Sequence, residues 1–259
     1  MKAVTKALAK KINALATKKG RDEHGLFIVE GAKNAAEIPV GWEVECCVLS
    51  ESFAKGNEAA GYDARSDVFV AGDDAFARLS DTKTPQGVMA LCGIPSRKLC
   101  EMDFSECLFV FGERISDPGN AGVLLRTSDA AGASFFALSD GSADVYGPKA
   151  VRACAGSIFH LPVLFGVKTE ELAKICGEKG VSLYAAAADG ERLLYETDFT
   201  RPCCIAVGNE AEGLSDFLKG KADCRVRLPM PGGAESLNAG VAGSLLIYEA
   251  LRQRMVRRP

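Results

Sequence analysis

Residues 203–254 constrain this chain more than any other stretch. The run Cys203-Cys204-Ile205-Ala206-Val207 lacks charged side chains and predicts a strand buried on both faces. It stops at Gly208-Asn209-Glu210-Ala211-Glu212-Gly213, whose two glycines allow a sharp turn or a close approach to a ligand, and Leu214-Ser215-Asp216 reads as a helix start. Cys224-Arg225-Val226-Arg227 predicts a second strand, and residues 228–238, with two prolines and two glycines, a second shaped loop. From Leu237 onward Val241, Leu245, Tyr248 and Leu251 recur at near-helical spacing, while Gly240, Ala242, Gly243 and Ser244 permit close packing of the first turns. Ser236 or Asn238 is placed to cap this helix, and Arg252 and Arg254 suit the negative end of its dipole. Strand, glycine loop, strand, proline-glycine loop and helix together describe a small-molecule site at strand carboxyl ends.

The rest of the chain offers a core and uneven charge. A hydrophobic content of 47% over 259 residues excludes a disordered protein and allows two domains. A net charge of -3 argues against a uniformly basic nucleic-acid binder, but residues 1–21 hold seven Lys or Arg and no acid, and residues 252–259 are basic too. Such ends either aid solubility or meet RNA. The ten cysteines form no C-x-x-C pair, lie mostly in apolar runs, and have only two histidines for company; buried free thiols are expected, without a metal site. No apolar stretch reaches membrane-spanning length and no signal-peptide pattern follows the lysine-rich start, which predicts a soluble, cytoplasmic protein.

In the first half, residues 5–17 have helical spacing and Lys18-Lys19-Gly20-Arg21 reads as a basic turn. Strands are predicted at 26–29, 44–49, 68–70 and 87–92, and helices at 32–37, 52–60 and 73–79, enough for one small α/β domain over 1–93. Residues 94–106 lack periodicity and are assigned as a linker. A second α/β domain is expected over 107–259. It opens with the strand 108–111 and the loop 112–119, followed by Asn120-Ala121-Gly122-Val123-Leu124-Leu125-Arg126-Thr127 and a C′ glycine at Gly132. Strand 134–138, strand 161–165, helix 169–179 and strand 182–186 continue it.

The motifs themselves resemble the SpoU (TrmH-like) family of RNA ribose 2'-O-methyltransferases, of the SPOUT superfamily. Asn120, Gly122, Arg126 and Thr127 match its first motif, Gly208-Asn209-Glu210 with Gly213-Leu214-Ser215 the second, and Leu228-Pro229-Met230 with Ser236-Leu237-Asn238 and Ala242 the last. Arg21, Gly25, Phe27, Val29, Glu30, Gly31 and Lys33, with Thr84-Pro85-Gln86-Gly87-Val88, are similar to the small ribosomal-protein-like substrate-binding domain that precedes the catalytic domain in many members. Ser128, Cys154 and Ala239-Gly240 depart from the usual family residues.

The resemblance implies an α/β chain whose carboxyl-terminal parallel-sheet domain is threaded into a trefoil knot around S-adenosylmethionine and forms a homodimer. It implies that Gly208, Gly213, Leu228, Met230 and Leu237 hold the cofactor, and that Asn120, Arg126, Glu210, Ser236 and Asn238 form the catalytic group, with Asn120 and Arg126 near the partner subunit's cofactor. Glu210 would accept loop amides or orient Arg126, and Arg126, always protonated, suits a cationic role toward a 2'-oxyanion and phosphate better than that of a base. Arg21, Lys33 and Arg152 are the candidate RNA contacts, with ribosomal RNA the expected substrate. A transfer RNA methyltransferase and a catalytically silent ribosome-assembly factor are the alternatives. An oxidoreductase is disfavoured because no G-x-G-x-x-G follows a predicted strand.

Overall fold

A computed structural model of the protein describes residues 1–56, 61, 62 and 66–257, the last without its side chain. The chain forms two compact units, Met1–Pro95 with Tyr146–Phe159, and Ser96–Val145 with His160–Pro259.

The first unit begins with β1 (Lys2–Ala3), α1 (Lys6–Leu15), α2 (Lys18–His24), β2 (Leu26–Glu30) and α3 (Ala32–Ala36). It continues with β3 (Val44–Ser50), α4 (Glu51–Ala54), β4 (Asp67–Ala71), α5 (Asp73–Leu79) and β5 (Val88–Gly93). The sheet order is β1-β4-β3-β5-β2, with β5 antiparallel to both its neighbours. Leu8, Ile12 and Leu15 of α1 recur at helical spacing and bury against Leu26, Val48, Met89 and Leu91 of the sheet. Thr5 caps α1 through the Leu8 amide at 3.2 Å.

The expected basic turn is instead α2. Thr17 caps it by accepting from the Gly20 amide at 3.1 Å, and Gly25 ends it in the left-handed region with φ 63°. Gly20 reads as a breaker, yet its missing Cβ is what lets α2 close on α1, since a Cβ there would lie 2.0 Å from the Ala14 carbonyl oxygen. Arg21 stands in the same joint, 4% exposed, donating from Nη1 to the Leu15 carbonyl at 2.7 Å. That corrects its assignment as an RNA contact. The helix expected at 52–60 is the single turn α4; residues 57–60 lie outside the described residues.

The second unit carries β6 (Leu108–Gly112), α6 (Pro118–Ala130) and β7 (Phe135–Ser139); the next helix, α7 (Pro148–Cys154), packs within the first unit. There follow β8 (Val163–Val167), α8 (Thr169–Lys179), β9 (Ser182–Ala186), β10 (Arg192–Leu193) and β11 (Cys203–Val207). The chain ends with α9 (Asp216–Lys221), β12 (Cys224–Arg227) and α10 (Ala239–Arg257). The seven strands run in the order β10-β12-β9-β11-β6-β7-β8, and every pairing is parallel. Continuous burial of β6, β7 and β11 explains their unbroken apolar sequences. Phe109 stacks on Phe135 at 4.1 Å between centroids, and Phe104 meets both rings edge-on. Leu99 and Phe104 thus anchor the segment assigned as a linker in this core.

Two features of this topology place the site. β11, late in the chain, fills the slot between β6 and β9, so the carboxyl ends of β9, β11 and β12 open side by side. α10 then returns over β11 and packs on α6 at glycine contacts: a Cβ on Gly243 would lie 2.3 Å from Leu124 Cδ2 and 3.0 Å from Val207 Cγ2.

Candidate active site

The segments leaving β9, β11 and β12, with the first turns of α10, enclose a cleft of about 590 Å³, within the size range of small-molecule sites. Gly208, Gly213 and six alanines are among its lining residues. Gly208 cannot be replaced without moving the loop, because a Cβ would lie 2.3 Å from the Gly213 carbonyl carbon and the Leu214 nitrogen. The loop closes on itself through Asn209 N to Gly213 O at 3.1 Å and Gly213 N to Asn209 O at 2.9 Å. The Asn209 side chain fastens both faces, accepting from the Ala211 and Glu212 amides and donating to the Arg114 carbonyl at 2.8 Å.

Gly208, Gly213, Leu228, Met230 and Leu237 all line the cleft, as do Glu210 and Ser236. Ser236 is exposed and its hydroxyl makes no hydrogen bond among the described residues. Between the two candidate caps of α10 the structure selects Asn238, whose Oδ1 accepts from the Val241 amide at 3.2 Å.

Glu210, Asn120 and Asn238 form one chain of hydrogen bonds. Asn120 Nδ2 donates to Glu210 Oε1 at 2.7 Å, and Asn238 Nδ2 donates to Asn120 Oδ1 at 2.9 Å. Glu210 also accepts from the Ser116 amide at 3.0 Å, the Ser116 hydroxyl and the Asp117 amide at 3.2 Å. Desolvation works to raise the Glu210 carboxyl, but the bonds from Ser116 and Asn120 outweigh it and bring it down to about 2. The carboxylate is therefore ionised and acceptor-only at neutral pH. Its partners are the loop 116–120, not Arg126.

Arg126 stands apart. Six residues along α6 from Asn120 place it roughly 120° around the helix; it is exposed and makes no hydrogen bond or ion pair among the described residues. It does not line the cleft of its own chain. The adjoining helix presents Val241, Leu245 and Tyr248, each 44–50% exposed, on one face, and Val123 of α6 is exposed as well. Thr127 and Ser244 join the two helices through their hydroxyls at 2.9 Å.

Of the other RNA candidates, Lys33 is exposed on α3 and Arg152 pairs with Asp81 at 2.8 Å.

Several residues of the site escaped sequence reasoning. Glu113, 2% exposed, follows β6 and accepts from the Ser215 amide at 2.7 Å, the Ser215 hydroxyl at 2.8 Å and the Thr169 hydroxyl at 3.0 Å. It ties the end of the glycine loop to the start of α8. Gly190 lets the β9 segment touch β12, since a Cβ would lie 2.7 Å from the Arg227 nitrogen, and Ala186, Ala187 and Ala188 line the cleft beside it. The alanine run followed by Asp189-Gly190 was the available signal.

Comparison with known proteins agrees with this architecture. The SpoU rRNA Methylase family profile matches residues 107–248, and an MRM3-like substrate binding domain profile matches residues 6–90. The chain is 32% identical to the Bacillus subtilis 23S rRNA (guanosine(2553)-2'-O)-methyltransferase RlmP, over 90% of this chain and 92% of that one. It is 30% identical to the 23S rRNA (uridine(2479)-2'-O)-methyltransferase of Streptomyces viridochromogenes, covering 93% of this chain and 88% of the other. Among solved structures, the SpoU methyltransferase AviRb from Streptomyces viridochromogenes in complex with AdoMet superposes with a TM-score of 0.90 at 29% identity, over 98% of this chain and 100% of that one. The chain is a member of the SpoU rRNA methylase family.

Proposed function

We propose that this protein transfers a methyl group from S-adenosylmethionine to a ribose 2'-hydroxyl of ribosomal RNA. The cofactor fits the cleft on chemical grounds. Glycine, alanine and leucine in the lining suit adenosine, and the carboxylates of Asp189, Glu210, Glu212 and Glu235, which line the cleft along with Lys219 and Arg227, suit a sulfonium and an ammonium cation. Gly208, Gly213, Leu228, Met230 and Leu237 hold it, and when bound it supplies an electrophilic methyl carbon.

The chain's own groups then divide the work. Glu210, pinned by Ser116, Asp117 and Asn120, fixes the loop beside the reacting centre, while Asn120 and Asn238 set its position against α10. Arg126 stabilises the developing 2'-oxyanion and grips the neighbouring phosphate; a guanidinium remains protonated, so the proton leaves to another acceptor, the phosphate or water. Ser236, with its free hydroxyl, hydrogen-bonds the incoming ribose.

In this reading Arg126 meets the cleft of a second copy, and the active form is a homodimer built on the second unit. The exposed Val241, Leu245 and Tyr248 beside Val123 support that arrangement, as a helical face that a second copy would cover. Residues 107–259 form the knotted catalytic domain, residues 1–93 the RNA-binding domain with Lys33 as a contact, and the reaction takes place in the cytoplasm where ribosomes are made. Insertion of β11 between β6 and β9 supports the knot.

The observation that carries the proposal is the preformed cleft, with Gly208 packed too tightly for any side chain, in a chain of this family. Mapping ribose methylations in ribosomal and transfer RNA from cells with and without the gene tests it. One ribosomal 2'-O-methyl group should disappear with the gene; loss confined to transfer RNA, or no loss, contradicts it.

A further inference from the structure

The first unit holds a second cavity that the methyl-transfer chemistry does not use. It measures about 230 Å³ and lies among α1, β2, the end of α5 and α7, smaller than a drug-sized site needs and suited to a single planar ring system. Its apolar walls include Ile28 and Leu79, which the surrounding core leaves half-buried, with Val151 of α7.

One charged group sits deep in this wall. Glu30 is 9% exposed, its Oε1 accepting from the Ser80 hydroxyl and from the Thr82 hydroxyl at 2.8 Å, its Oε2, among the described residues, only from the Asp81 amide at 3.3 Å. A carboxylate oxygen has two lone pairs, so Oε2 retains one acceptor position. At the mouth, the exposed side chains of Asn13 and Arg78 make no hydrogen bond or ion pair among the described residues. Arg152, exposed beside them, is steadied by Asp81 at 2.8 Å. A buried acceptor, apolar flanks and a cationic rim with a free amide describe a receptor for a flat, amine-bearing ring attached to an anion.

We propose that this cavity receives one unpaired nucleotide of the RNA substrate. The base lies against Ile28 and Leu79 and donates an exocyclic amine to Glu30 Oε2, and its phosphate rests on Arg78 and Arg152. Unpaired bases are the part of RNA that proteins read by stacking and edge contacts, while arginine–phosphate contacts set position. The proposal rests on an RNA substrate, as above, and gives the first unit a reading function in addition to general charge attraction. It makes Arg78, Arg152 and Asn13, not the buried Arg21, the RNA contacts of this face.

The test uses the full-length protein and deproteinised large-subunit ribosomal RNA. Ultraviolet cross-linking followed by mass spectrometry should find a nucleotide adduct on peptides carrying Ile28 or Val151. Arg78→Ala and Asn13→Ala should each weaken RNA binding by about tenfold, with S-adenosylmethionine affinity and melting temperature unchanged. Adducts found only elsewhere, or variants that bind RNA like wild type, overturn the proposal. Wild-type protein that cross-links through these peptides yet transfers no methyl group sinks the enzymatic function and leaves the cavity assignment standing. Methyl transfer with unaltered variants does the reverse.

Discussion

Asn120 and Arg126 lie six residues apart on α6, yet their surroundings differ in kind. Asn120 is buried with both ends of its amide engaged, one by Glu210 and the other by Asn238. Arg126 is exposed and makes no bond of its own among the described residues. A buried amide engaged at both ends is held in place and defines shape; an exposed guanidinium on a helix keeps its donors for an arriving anion. The cleft proposed for the cofactor is thus finished within one chain, whereas the group proposed to meet RNA is left open.

Arg126→Ala strikes the open side and should have the largest effect. Single-turnover methyl transfer should fall by at least about 10²-fold, while calorimetric titration with S-adenosylmethionine stays near wild type. Equal loss in both would place Arg126 among the cofactor-holding groups and erase the contrast.

Gly208→Ala strikes the finished side. With no space for a Cβ, the 208–213 loop must shift, an overpacking strain that should weaken cofactor binding by about 10- to 100-fold while RNA binding persists. Unaltered cofactor affinity would mean that the loop does not shape the cleft.

Glu113→Gln sharpens the same side from beneath. Replacing one acceptor oxygen by an amine that faces the Ser215 amide or a hydroxyl should cost about 1–3 kcal/mol in denaturant unfolding. A smaller rise in the cofactor dissociation constant should accompany it.

The smallest effect is a pH dependence. Glu210 titrates at about 2 in the folded protein, below the usual carboxylate value. A group depressed on folding contributes stability that is present above its unfolded value and fades as pH falls through the folded one. Wild type and Glu210→Gln should therefore differ in melting temperature above about pH 4.5 and converge toward pH 2. Parallel curves over that window would mean the carboxylate is not held by the Ser116 and Asn120 bonds.

What was legible in the sequence follows the same division. Local patterns carried the fold: the apolar runs of β6 and β11, the Ser215 cap of α9 and the Asn238 cap of α10 each depend on a few neighbouring residues. The loop at Gly208 was legible because close main-chain approach demands glycine, whereas Leu228, Met230 and Leu237 came from the family resemblance. What failed depends on distant partners. Gly20 reads as a breaker until Ala14 is seen beneath it, and Arg21 reads as a surface cation until the Leu15 carbonyl claims it. Glu113 acquires a purpose only from Ser215, 102 positions away. β10, two residues long, has no period to detect.

Incubating the purified protein with labelled S-adenosylmethionine and deproteinised large-subunit ribosomal RNA, then locating the label by nuclease digestion and mass spectrometry, tests the central claim most directly. One methyl group on a ribose 2'-oxygen, formed by wild type and absent with Arg126→Ala, is the predicted result. Tight cofactor binding with no labelled ribose, or label on a base, would contradict it.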